Sequence, residues 1–120
     1  MRRGRFGENL HAITIKMTNN EIFNLNNQQL FELILYRAKD SISTELDGET
    51  VILDIASGIY SGLDTIGTFI WNQLEQPATI AALRDAILER YDVAREQCVA
   101  DLLAFLKDLA DNGLILIKNE

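Results

Sequence analysis

Apolar residues change their spacing along the chain, and the changes mark out the elements. Residues 42–46 and 50–55 are short β-prone runs on either side of Asp47-Gly48, the dipeptide suited to a two-residue hairpin because both central positions take positive φ. They are expected to pair antiparallel. In the second run Val51, Leu53 and Ile55 share one face and Thr50, Ile52 and Asp54 the other, so the first face is the one expected to pack on helices. Ser57-Gly58 turns the chain into a third run, 59–63, completing a meander whose third strand lies at an edge, with unpaired backbone donors and acceptors.

The period then lengthens to that of a helix. Asp64 is placed to cap a first helix with Ile66, Phe69, Ile70 and Leu74 on one face, ended by Gln76-Pro77. Thr79 caps a second, through Ile80, Leu83, Ile87 and Tyr91, which closes at Asp92-Val93. A third, over 95–112, carries Val99, Leu102, Leu103, Leu106 and Leu109 and stops at Gly113, and residues 114–117 form an apolar tail that docks as a strand. Three strands followed by three helices, with no βαβ alternation, predict an α+β domain resembling a winged helix whose wing comes first.

Residues 1–37 have a different character and are set apart as an N-terminal arm from the domain of residues 38–120. The arm alternates weakly over 12–17 and is interrupted by Asn19, Asn20, Asn24, Asn26 and Asn27. Residues 28–37 read as a short helix capped by Asn27 or, almost as well, as an extended segment over 31–36. Met17 stands where a second start would make residues 1–16 dispensable.

With 120 residues, 48% apolar and 24% charged, the chain has material for one core. Its net charge of −7 argues against duplex nucleic acid as a partner, which needs a basic surface, and favours neutral or basic peptides. With one cysteine and no apolar run of about 18 residues, the expectation is a soluble cytosolic protein without a membrane segment. The basic start, Met1 to Arg5, leads into polar Glu8, Asn9 and His11 rather than the apolar stretch of an export signal.

Candidate chemistry is sparse. The single histidine lies in the arm and Cys98 on the third helix, where a free cysteine is far more often a small core residue than a nucleophile. No metal-ligand spacing occurs, and Gly58, Gly62 and Gly67 match no phosphate-binding loop. Phe69 and Trp71 share a helical face with Ile66 and Leu74, which favours packing over base stacking. The expectation is a non-enzyme with no cofactor. What remains is recognition: the third strand beside the third helix can pair with an extended peptide, with Asp101, Asp108 and Asp111 favouring a basic or neutral one. An edge covered by the N-terminal arm or by a second copy is the alternative.

The run from Gly58 to Trp71 (Gly-Ile-Tyr-Ser-Gly-Leu-Asp-Thr-Ile-Gly-Thr-Phe-Ile-Trp) resembles the Gly-x-Tyr-x-x-Leu-Asn/Asp-x-x-Gly-x-x-Ile-Trp core of the PqqD family, the peptide chaperones also called RiPP recognition elements. Thr79, the Tyr91-Asp92-Val93 ending and the run from Asp101 to Leu106 that leads to Leu109 and Gly113-Leu114-Ile115 follow in the family's order, so the resemblance covers roughly residues 38–118. It implies a winged-helix-like domain that binds the leader of a ribosomally made precursor peptide by strand addition to the third strand, beside the third helix, and presents it to a radical SAM enzyme or a leader peptidase. Carried over by position, the strand contacts are the backbone of Ile59, Tyr60, Ser61, Gly62 and Leu63. The cleft wall is Cys98, Asp101, Leu102, Phe105 and Leu109, although the helix's core and cleft faces are not separable in the sequence. For Tyr60, cross-strand packing is as good a reading as ligand contact.

Two departures stand out: Asp64 replaces a frequent asparagine, and Ala94 occupies a position often held by a serine or threonine cap. The rival readings are a winged-helix module that dimerises through its edge strand or arm, and a winged-helix transcription factor, for which Arg84, Arg90 and Arg95 supply little positive charge.

Overall fold

The computed structural model describes residues 2–4, as backbone, and residues 27–118. The expectations for His11, for the alternation over 12–17, for the asparagines before Asn27 and for a start at Met17 lie outside the described residues. In chain order the elements are β1 (Arg2–Gly4), α1 (Asn27–Phe31), β2 (Ile34–Arg37), β3 (Ser41–Leu46), β4 (Glu49–Asp54), β5 (Ile59–Leu63), α2 (Thr65–Gln73), β6 (Ala78–Thr79), α3 (Ile80–Arg90), α4 (Arg95–Asp111) and β7 (Ile115–Lys118).

Strands β3, β4 and β5 form the antiparallel meander, and β1 adds to its β5 side, giving the order β1-β5-β4-β3. The hairpin between β3 and β4 turns at Asp47 and Gly48, with φ of 55° and 79°, the positive pair that selected these residues. A second sheet, β6-β2-β7, is antiparallel throughout. Its presence corrects the expected order of three strands and then three helices. The expected strand over 114–117 and the extended reading over 31–36 correspond to β7 and β2, but their pairing with each other spans a long sequence separation that no local pattern announces.

Strand β2 also draws residues before Ala38 into the core, where Leu35 is fully buried opposite Ile117. The apolar spacing over 28–37 is thus shared between one five-residue helix and a strand. Arg37, at the end of β2, lies over the Trp71 ring at 4.2 Å from its centroid and donates from Nη2 to the Trp71 carbonyl at 2.5 Å. This contact joins the second sheet to α2. Burial lowers the Arg37 pKa, and the carboxylate of Glu75 works in the opposite direction.

The inward face of β4 is the reverse of the one expected. Thr50 and Ile52 are buried, whereas Val51 and Ile55 are exposed and Leu53 is half-buried. The reason lies in the neighbours of β4. The Thr50 hydroxyl donates to that of Thr68 on α2 at 2.9 Å. On β3, Ser43 accepts from Trp71 Nε1 at 3.2 Å and Glu45 from Asn72 Nδ2 at 3.0 Å. Polar partners on α2 therefore settle a choice that side-chain hydrophobicity alone decides wrongly, because α2 gives Thr50 a buried partner.

Helix ends follow their cap residues. Asp64 accepts from the Gly67 amide at 2.8 Å, Thr79 accepts from Ala82 at 3.0 Å, and Gly113 leaves α4 with φ of 72°. Gly67 is also where α2 meets α4, since a Cβ there would stand 3.0 Å from Phe105 Cε1. Trp71, Phe105, Ile70, Leu74, Ile80, Leu83, Ile87, Leu102 and Leu106 fill the core between the sheets and helices.

Ala94 caps α4 without any side-chain hydrogen bond although its backbone is extended, as a cap requires. Ala94→Ser is therefore expected to stabilise the fold by about 1 kcal/mol, and Asp64→Ala to destabilise it by a similar amount, in equilibrium urea unfolding. Equal midpoints for the three proteins would contradict this reading of the caps.

Candidate functional site

The site expected from the sequence centres on β5. Its antiparallel ladder to β4 runs from Ile59 opposite Asp54 to Leu63 opposite Thr50. The strand is launched by a tight turn in which the Gly58 amide donates to the Asp54 carbonyl and the Ser57 hydroxyl to the Asp54 carboxylate, both at 2.8 Å. Gly58 takes φ of 72°, a conformation that disfavours any side chain. At the far end Leu63 passes directly into Asp64 and the start of α2, so the strand is held at both ends.

Along β5 the residues divide by position. Ile59 and Tyr60 are exposed, while Ser61, Gly62 and Leu63 are buried. Tyr60 lies opposite Leu53, which lies opposite Ile42, so an apolar row crosses the outer face of the sheet. The side of β5 away from β4 is paired. Arg2–Gly4 runs parallel to it, with Arg2 opposite Ser61, Arg3 opposite Gly62 and Gly4 opposite Leu63, and the same short strand lies against α4. β5 is thus an inner strand here, where the meander alone had left it at an edge.

On α4 the expected cleft residues separate into two groups. Cys98, Leu102, Phe105 and Leu109 are each no more than 2% exposed and belong to the main core cluster. Asp101 is half-buried and accepts from Gln97 Nε2 at 2.7 Å. The helical stripe that sequence spacing offered as one wall is therefore a core face with one carboxylate on its border. Lys107 and Asp111 form an ion pair one turn apart. Burial pushes the Cys98 thiol pKa up, and the charge of Asp101 adds to the effect.

A separate groove of about 690 Å³ lies between α1, α3 and α4, lined by Leu30, Phe31, Arg84, Arg95, Val99 and Leu103 among others, and it includes no residue of β5. Among the described residues no helix is long and apolar enough to cross a membrane. The pairing of β1 with β5 had no signal in the sequence of residues 2–4, which is basic and lacks β-branched residues. The alternative of an edge covered by the N-terminal arm, which follows from the tendency of a free strand edge to be protected, is the arrangement seen here, although nothing in the sequence pointed to these three residues.

Comparison with known proteins gives a consistent result. The family model described as "Coenzyme PQQ synthesis protein D (PqqD)" matches residues 49–115. A solved structure described as TbiB1 in complex with the TbiA(beta) leader peptide is 35% identical, with a TM-score of 0.64, over 67% of this chain and 93% of that one. A second, a lasso peptide synthetase B1 complexed with the leader peptide, superposes with a TM-score of 0.60 at 24% identity, over 68% of this chain and 96% of that one. No curated protein matches the chain.

Placing Cys98 in the core has a direct test. Its thiol is expected to resist a water-soluble disulfide reagent at pH 8 in the native protein and to react fully in urea, because both burial and the raised pKa suppress the exposed thiolate. Because folding favours the protonated thiol, its contribution to stability is expected to hold below the ordinary thiol pKa and to fade as pH rises through and beyond it. Prompt labelling of the native protein would instead put Cys98 on an open wall.

Proposed function

The chain belongs to the PqqD family, and we propose that it is a non-catalytic peptide chaperone that binds the leader of a ribosomally synthesised precursor by strand addition to β5. The observation that carries this reading is the β5 flank itself, which takes an added strand in this chain, and that strand lies against α4. A 35%-identical relative whose description includes a bound leader peptide supports the same ligand class. We assign the contacts to the backbone of Ile59, Tyr60, Ser61, Gly62 and Leu63, with Asp101 at the border. Cys98, Leu102, Phe105 and Leu109 act from beneath, as the packed platform that fixes the distance between strand and helix.

In this reading the leader-binding unit is residues 38–120 with β2 docked against it, and it is winged-helix-like, with the β3–β4 hairpin as the wing. It works in the cytoplasm without a cofactor and delivers the precursor to a modifying enzyme, such as a radical SAM enzyme, or to a leader peptidase. Backbone pairing supplies most of the affinity and is tolerant of sequence. Two or three apolar side chains of the leader supply selectivity.

The test is a titration with the leader of the precursor encoded nearest this chain's gene, against a scrambled control. Saturable micromolar binding, about 8 kcal/mol, is expected for the leader alone. Leaders N-methylated at the pairing amides are expected to lose at least about tenfold in affinity, since each lost backbone hydrogen bond costs roughly 1 kcal/mol or more. A folded Ser61→Pro variant should lose affinity for the same reason. Undiminished binding of the N-methylated leaders would overturn strand addition.

A further inference from the structure

The flank of β5 is already occupied by the chain itself. Arg2–Gly4 pairs with Ser61, Gly62 and Leu63 and lies against α4, in the position assigned above to the leader. We propose that this N-terminal segment is a tethered, self-supplied occupant of the leader site, displaced when a leader binds. The proposal rests on the leader-binding reading and adds to it a competitor built into the same chain.

Three features support it. The first is separability. The solved relative is covered over 93% of its length by 67% of this chain, so the unit that aligns with it accounts for only part of the residues here. The second is charge. Arg2, Arg3 and Arg5 place three of the chain's eleven basic residues in one pentapeptide, while the chain as a whole carries −7 and α4 bears Glu96, Asp101, Asp108 and Asp111 against Arg95 and Lys107, the last paired with Asp111. A basic segment is attracted to such a surface without needing a specific partner for each arginine. The third is reach. Residues 5–26 connect the strand to α1, and at about 3.3–3.6 Å per extended residue they exceed the 36 Å longest extent of the molecule. The strand can therefore leave the site and return without disturbing the core.

Tethering makes a weak contact effective. A three-residue strand binding with an intrinsic constant on the order of 0.1 mM would hold its site about tenfold in favour of the closed form at an effective concentration of about 1 mM. The leader would then bind only the open fraction, and its apparent affinity would fall by the same factor. The segment thus sets a threshold, so that short or unspecific peptides fail to displace it and a leader with additional side-chain anchors succeeds.

The experiment compares the full chain with a variant beginning at Met17. Amide hydrogen exchange in the absence of peptide reads the occupant directly: Ser61, Gly62 or Leu63 is expected to exchange faster in the shortened protein, while the core amides of α4 stay unchanged. With the leader of the neighbouring precursor as probe, the shortened protein is expected to bind about tenfold more tightly, and a synthetic peptide of residues 1–16 to compete for it. Equal affinity and equal exchange in the two lengths would overturn self-occupancy and leave the leader reading intact. Failure of the leader to bind either length would overturn both, even with faster exchange in the shortened chain.

Discussion

A β-strand at the side of a sheet carries a row of backbone donors and acceptors that must be satisfied by something, and in this protein that requirement falls on β5. The elements around the strand hold it at both ends and along one flank. The Asp54–Gly58 turn fixes its start, the Asp64 cap of α2 fixes its end, and β4 fills its other flank. Closing the free side requires a partner strand, and Arg2–Gly4 meets the need for three residues only. The remaining length, at Ile59 and Tyr60, is exposed.

The platform beneath is built to hold that geometry. Gly67 lets α2 approach the Phe105 ring of α4 with no side chain between them, and Arg37 ties β2 to the Trp71 ring on the same helix. A displacement of α4 would therefore be felt at α2, and through the Thr50–Thr68 hydrogen bond at β4. Cys98, Leu102, Phe105 and Leu109, all on one stripe of α4, belong to this packed core rather than to an open surface.

Much of this was legible in the residues. Asp47-Gly48 specified the hairpin, Asp64 and Thr79 specified helix starts, and Gly113 a helix stop, because each acts through a local backbone conformation. The motif from Gly58 to Trp71 located the strand and helix around which the site is built. What escaped was non-local. The inward face of β4 depended on the hydrogen bond from Thr50 to Thr68 of α2, and the pairing of β2 with β7 joined segments about two thirds of the chain length apart. The stripe on α4 looked amphipathic in the same way for a core face and a cleft face. The parallel strand at β5 came from a basic segment with no strand pattern of its own.

The measurement that bears most directly on the central claim is backbone amide shift mapping of the ¹⁵N-labelled full chain on addition of the leader. The account predicts the largest changes at Ile59 to Leu63 and on the neighbouring surface of α4 near Asp101, together with loss of the Arg2–Gly4 pairing signals. Changes centred instead on Leu30, Phe31 and Arg84, in the groove between α1, α3 and α4, would contradict it.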